Sequence, residues 1–105
     1  MNEGFFGRLA DGAFIINGGR GPQVNDDDLL AALASGKLGG AALDVFAVEP
    51  LPQDHPFWTH PKVRVWPHVA AQTNATSAAE QVAAAITAMM DGSEPANRVD
   101  WSRGY

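Results

Sequence analysis

The 105-residue sequence contains no cysteine, which excludes disulfide bonds and thiolate chemistry. It also has no cluster of lysine and arginine, and its formal net charge is −5. Nucleic acids and anionic membrane surfaces attract concentrated positive charge, so we expect neither as a partner. No apolar run approaches the roughly 20 residues that cross a bilayer. The sequence is compatible with a reducing cytosol, and we expect a cytoplasmic protein.

What the sequence does contain is typical of a globular domain, with 46% hydrophobic and 18% charged residues. Three short apolar segments predict strands, because each is bounded by turn residues. They cover residues 13–17, 40–46 and 63–66. The proline-rich stretch 47–62 predicts a long loop, and such loops are usually functional.

Two helices are predicted by their end signals. Asn25 is a suitable N-cap before three aspartates, and Gly36 stands where a glycine ends a helix. Residues 77–80 match a capping box, and apolar residues at helical spacing follow as far as Gly92. The first helix connects two predicted strands, which is the pattern of a right-handed βαβ unit.

The predicted fold class is therefore α/β. We expect a partial Rossmann-type domain, with a three-stranded parallel sheet and a crossover helix, over residues 1–72. A C-terminal helix and tail occupy residues 73–105. The first strand would present an open edge and the last helix an apolar face, so we expect a homodimer.

Three ionisable residues follow the three predicted strands: Arg20, Glu49 and His68. The carboxyl ends of parallel strands share one edge of the sheet, which is where ligands bind in open α/β folds. Arginine offers a planar fork for a carboxylate, and histidine transfers protons near neutral pH. A carboxylate beside the imidazole would favour its charged form. Such a trio suits reduction of a carbonyl group or the reverse reaction.

Each residue also has a plainer interpretation. Arg20 and His68 could be solvated residues of turns, whereas Asp44 in an apolar segment needs a polar partner. The three histidines match no metal-ligand spacing, so no metal site is predicted. Trp58 and Trp66 are interpreted as packing in the loop and at the sheet edge.

Three segments together resemble the C-terminal third of the D-isomer-specific 2-hydroxyacid dehydrogenases. Asn17-Gly18-Gly19-Arg20-Gly21 is similar to the Asn-x-x-Arg-Gly segment of that family. Residues 42–46 with Glu49-Pro50-Leu51-Pro52 resemble the second block, and residues 67–71 resemble the third. Residues 56–61 and the ending Arg103-Gly104-Tyr105 resemble the glyoxylate/hydroxypyruvate reductase branch.

The resemblance implies a role for each matching residue. Arg20 would bind the substrate carboxylate, His68 would be the acid/base and Glu49 its partner. The cofactor, NAD or NADP, would be contacted by residues of all three segments: Asn17, Gly18, Gly19, Asp44 and Ala70. The substrate would be a small 2-oxo or 2-hydroxy acid, with glyoxylate and hydroxypyruvate preferred.

One motif of the family is missing. The chain has no Gly-x-Gly-x-x-Gly segment, which binds the pyrophosphate of dinucleotides. We therefore expect the isolated chain to be inactive. An alternative is a non-catalytic, self-associating α/β module that binds no nucleotide. A corepressor of the same family is a further alternative.

Overall fold

The computed structural model describes residues 1–103. Gly104 and Tyr105, which belong to the ending that resembles the reductase branch, lie outside the described residues. The helices and strands follow in the order α1 (Glu3–Gly7), β1 (Ala13–Asn17), α2 (Asp26–Ala34), β2 (Leu38–Leu43), β3 (Val63–Val65) and α3 (Ala75–Met90). Short 3₁₀ turns lie at Gly21–Gln23 and Pro56–Trp58. The chain divides into two compact units, Met1–Ala71 and Gln72–Tyr105.

The first unit is built on a three-stranded parallel sheet in the order β1-β2-β3. Strand β1 covers the predicted residues. Strand β2, predicted over residues 40–46, instead begins at Leu38 and ends at Leu43. Strand β3 ends one residue early, at Val65. The α/β class and the parallel sheet with its intervening helix are confirmed.

The early end of β3 has a local cause. The Trp66 N–H still donates to the Leu43 carbonyl at 2.9 Å, so the ladder continues for one bond. Pro67 has no N–H to donate, and His68 adopts a left-handed backbone conformation with φ of 55°. The chain therefore leaves the sheet at this point and turns along its edge.

Helix α2 covers one face of the sheet. Asn25 caps it by accepting from the Asp28 N–H at 3.0 Å, and Gly36 ends it with φ of 80°, as predicted. Its buried leucines join Phe6 and Phe57 in the core beneath the sheet. On the opposite face of β1, Phe14 and Ile16 are 74% and 81% exposed. The sheet of this unit thus buries one face and leaves apolar side chains on the other.

The second unit contains α3. Its N-cap is Asn74, whose side chain accepts from the Ser77 N–H at 3.1 Å. The prediction that the helix starts with a capping box at Ser77 is therefore wrong, because asparagine caps as well as serine and stands one turn earlier. The apolar residues of the helix, Val82, Ile86, Met89 and Met90, are exposed. Among the described residues, no helix is both long enough and apolar enough to span a membrane.

Candidate active site

Glu49 and His68 form a direct pair at the carboxyl edge of the sheet. The Nδ1 atom of His68 lies 2.7 Å from Glu49 Oε2. The other carboxylate oxygen, Oε1, accepts from the Phe46 N–H at 2.9 Å. The hydrogen bond with His68 and then that with Phe46 lower the pKa of Glu49. Because Nδ1 is engaged, Nε2 is the ring nitrogen that remains for a ligand.

Asp44 lies just after β2 and is 7% exposed. Its oxygens accept from the backbone N–H groups of Val69 at 2.9 Å and Ala70 at 2.8 Å. The bond with Val69 is the largest of the effects that lower the pKa of Asp44. The partner that a buried carboxylate requires is thus the backbone that immediately follows His68. Asp44 and Glu49 together fix the segment that carries the imidazole.

Arg20 lies on a loop that is fixed by hydrogen bonds of its own backbone. The buried side chain of Asn17 donates to the Arg20 carbonyl at 3.2 Å and accepts from the Gly19 N–H at 3.2 Å. The Gln23 side chain accepts from the Arg20 N–H at 3.1 Å. The guanidinium of Arg20 is exposed and donates to the Gly19 carbonyl at 2.7 Å. Within residues 1–103 it forms no ion pair, so the structure joins His68 to Glu49 but not to Arg20.

Gly21 holds this loop against the loop that carries Glu49. A β-carbon at position 21 would lie 1.9 Å from the carbonyl of Phe46, so only glycine fits. The N–H of the same Phe46 donates to Glu49. The close contact therefore links the Arg20 loop to the position of the carboxylate.

Two cavities open beside these residues. One, of about 460 Å³, is lined by the Glu49–His68 pair and by apolar residues that include Trp58 and Trp66. The other, of about 310 Å³, is lined by residues from the end of β1 and the loop after it, by residues that follow β3, and by Ala42 and Asp44. Of the predicted cofactor residues, Asn17, Gly18, Asp44 and Ala70 line the second cavity. Gly19 does not line it but bonds to Asn17.

Sequence reasoning missed two contributors to this region. Gln23 carries no motif, and its contact with Arg20 follows from a 3₁₀ turn that the sequence pattern does not predict. Trp66, interpreted as edge packing, borders both cavities. The signal available in the sequence was an aromatic residue two positions before the predicted acid/base. The remaining histidines, His55 and His60, accept from backbone N–H groups of their own loop.

The chain matches the model of the D-isomer specific 2-hydroxyacid dehydrogenase NAD binding domain over residues 1–70. It is 50% identical over 105 residues to a glyoxylate/hydroxypyruvate reductase A of Serratia proteamaculans, covering all of this chain and 34% of that protein. A second such reductase, from Citrobacter koseri, is 48% identical over the same length. The chain thus spans about a third of the curated relatives it matches.

Solved structures of the same family also match the chain. A D-isomer specific 2-hydroxyacid dehydrogenase from Xanthobacter autotrophicus Py2, in complex with NADPH and MES, superposes with a TM-score of 0.91 at 43% identity. The match covers 100% of this chain and 43% of that one. An NADPH-dependent glyoxylate/hydroxypyruvate reductase from Sinorhizobium meliloti, in complex with NADP and sulfate, gives 0.88 at 39% identity, covering 100% and 35%. The sequence motifs and the sheet topology agree with the family model, the curated relatives and the solved structures, and the chain belongs to the D-isomer specific 2-hydroxyacid dehydrogenase family.

Proposed function

We propose that this chain supplies the proton-transfer residues of an NAD(P)H-dependent reductase that converts a small 2-oxo acid into a D-2-hydroxy acid. The observation that carries the proposal is the 2.7 Å contact of His68 with Glu49 beside an open cavity. Glyoxylate and hydroxypyruvate are the proposed substrates, because curated relatives about 50% identical to the chain are named reductases of these acids.

Each residue of the site has a proposed task. His68 delivers a proton from Nε2 to the carbonyl oxygen of the substrate, while Glu49 holds the ring through Nδ1. Arg20 binds the substrate carboxylate, and its exposed guanidinium offers two parallel donors for it. Its present bond to the Gly19 carbonyl would be exchanged for the substrate.

The second cavity fits the nicotinamide end of a cofactor. Its lining is small and apolar around Gly18, where an added β-carbon would lie 3.4 Å from Ala70 Cβ. Asp44 retains lone pairs that can accept from a carboxamide, and Asn17 and Gly19 shape the adjoining loop. A reduced nicotinamide supplies a hydride when it is bound. We propose NADP, since two solved relatives hold NADPH or NADP.

The described residues offer no counterpart for the pyrophosphate, because the sequence lacks the glycine fingerprint. We therefore assign residues 1–72 to the C-terminal part of a nucleotide-binding domain, and residues 73–105 to a segment that returns to a substrate domain. The family resemblance supports this division. The rest of the reductase would supply the phosphate site.

We further propose a homodimer and a cytoplasmic location. The open edge of β1 and the exposed side chains of Phe14 and Ile16 support self-association of the chain. The lack of cysteine permits a reducing compartment, and fractionation of the native cells would test the location.

A chimera tests the proposed activity. The 105 residues would replace the matching third of the Serratia proteamaculans reductase, because the alignment covers the whole of this chain. We expect the chimera to oxidise NADPH with glyoxylate or hydroxypyruvate, and the isolated chain to show no activity. A folded chimera that binds NADPH but reduces neither acid would contradict the proposal and favour a non-catalytic module.

A further inference from the structure

Trp66 borders both of the cavities beside the candidate active site. It lines the cavity of the Glu49–His68 pair and also the cavity beside Asp44. Trp58 lines the first of these cavities but not the second. Trp66 is 46% exposed, so much of this large aromatic residue faces solvent where it borders the two cavities.

The backbone fixes Trp66 relative to both cavities. Its N–H is bonded to the Leu43 carbonyl at 2.9 Å, directly before Asp44 in the chain. Two residues later, His68 is held by Glu49, and Val69 and Ala70 are then held by Asp44. Hydrogen bonds thus fix the backbone at Trp66 and after it, while the tryptophan keeps an exposed surface that a ligand can contact.

The two tryptophans differ in how their indoles are held. Trp58 Nε1 donates to the Pro52 carbonyl at 2.8 Å, which ties that ring to its own loop. Among residues 1–103, the Trp66 indole makes no hydrogen bond of this kind. Trp58 therefore serves as a built-in control, being an aromatic residue of the same cavity that is engaged with the protein.

We propose that Trp66 is a specificity-determining residue that separates the nicotinamide from the substituent of the 2-oxo acid, an inference that rests on the proposed function. On one side its ring packs against the planar nicotinamide, as aromatic rings do. On the other side its bulk limits the first cavity to a short substituent on the acid. One side chain thereby sets both cofactor affinity and the size of the accepted substrate.

The test uses the chimera and its Trp66→Ala, Trp66→Phe and Trp58→Ala variants, each shown to be folded by circular dichroism. Calorimetric titration gives the Kd of NADPH without any turnover. We expect Trp66→Ala to raise this Kd about tenfold and Trp58→Ala to change it less than about twofold. We also expect Trp66→Ala to raise kcat/KM for phenylpyruvate relative to glyoxylate by about tenfold or more. Trp66→Phe should stay within about threefold of the parent in both.

Two results would overturn the inference. One is an NADPH Kd that Trp66→Ala leaves unchanged, or that Trp58→Ala raises equally. The other is an unaltered preference for glyoxylate in Trp66→Ala. A chimera that binds NADPH with the expected dependence on Trp66 but reduces no acid would contradict the proposed function while supporting the contact with the nicotinamide.

Discussion

Gly21 packs against Phe46 so closely that a β-carbon on the glycine would lie 1.9 Å from the phenylalanine carbonyl. This contact joins the loop after β1 to the loop after β2. It places Arg20 and Glu49, which flank the contact in sequence, on neighbouring parts of one edge. The glycine after the arginine is thus needed for the packing of two loops.

Replacing Gly21 with alanine should lower the free energy of unfolding by at least about 2 kcal/mol, because the backbone of Phe46 would have to move. Urea unfolding of the chain measures the change. Gly7→Ala is the matched control, since nothing lies within 4 Å of a β-carbon there. That variant should be neutral or slightly more stable. Equal stability of the two variants would show that the contact can relax.

Replacing Asp44 with alanine should release the segment after His68. The Val69 and Ala70 N–H groups would lose their acceptors, at a cost of about 1 to 3 kcal/mol. Hydrogen exchange of these two amides should become faster than in the parent chain. Asp54→Ala, in an exposed part of the long loop, should leave both amides unchanged. Protection that survives in Asp44→Ala would contradict the proposed anchoring.

The pair of Glu49 with His68 should show in the titration of the carboxyl group. The bond with His68 is the largest cause that lowers the pKa of Glu49, so His68→Ala should raise this pKa toward its ordinary value of about 4.3. Carbon-13 NMR of the Glu49 side chain measures it. An unchanged Glu49 pKa in His68→Ala would mean that the pair does not persist in solution.

The lowered pKa of Glu49 also predicts how the stability of the fold depends on pH. A carboxyl group whose pKa is lower in the folded state stabilises the fold above its unfolded pKa, and this contribution is lost as the pH falls through the folded pKa. The stability difference between the parent and His68→Ala should therefore be present at neutral pH and shrink below about pH 4. A difference that grows on acidification would have the opposite sign.

Self-association should depend on the apolar surface of β1. The parent chain should sediment as a dimer, and Phe14→Lys with Ile16→Lys should weaken that dimer by placing charge beside the open edge. Val48→Lys, at an exposed residue of the long loop, is the matched control for the added charge. A monodisperse monomer at high concentration in the parent chain would contradict the dimer.

Local patterns predicted most of the fold. Strand β1 is an apolar run between turns, and α2 has an asparagine cap and a terminal glycine, so both follow from short-range chemistry. Strand β2 begins two residues before the predicted Gly40 and ends three residues before the predicted Phe46, so its bounds do not follow from the apolar run alone. Here Gly39 is required, since a β-carbon would lie 2.4 Å from the Gly12 carbonyl.

For the candidate site, the sequence predicts residues at one edge of the sheet but not the hydrogen bonds between them. The predicted strand ends indicate that Arg20, Glu49 and His68 share one edge, and the structure pairs His68 with Glu49. The acceptance by Asp44 of N–H groups 25 and 26 residues away depends on how the chain turns at His68, which no local pattern encodes. The same applies to the contact of Gly21 with Phe46 and to the shared position of Trp66.

The role of His68 in proton transfer is tested most directly by kcat for NADPH-dependent glyoxylate reduction, measured for the chimera and for its His68→Ala variant. We predict a loss of about 10² to 10⁴-fold, the usual contribution of a positioned acid. His60→Ala, which removes a loop histidine whose ring accepts from the Lys62 N–H, should retain the parental rate. A His68→Ala chimera that reduces glyoxylate as fast as the His60→Ala chimera would contradict the assignment of proton transfer to His68.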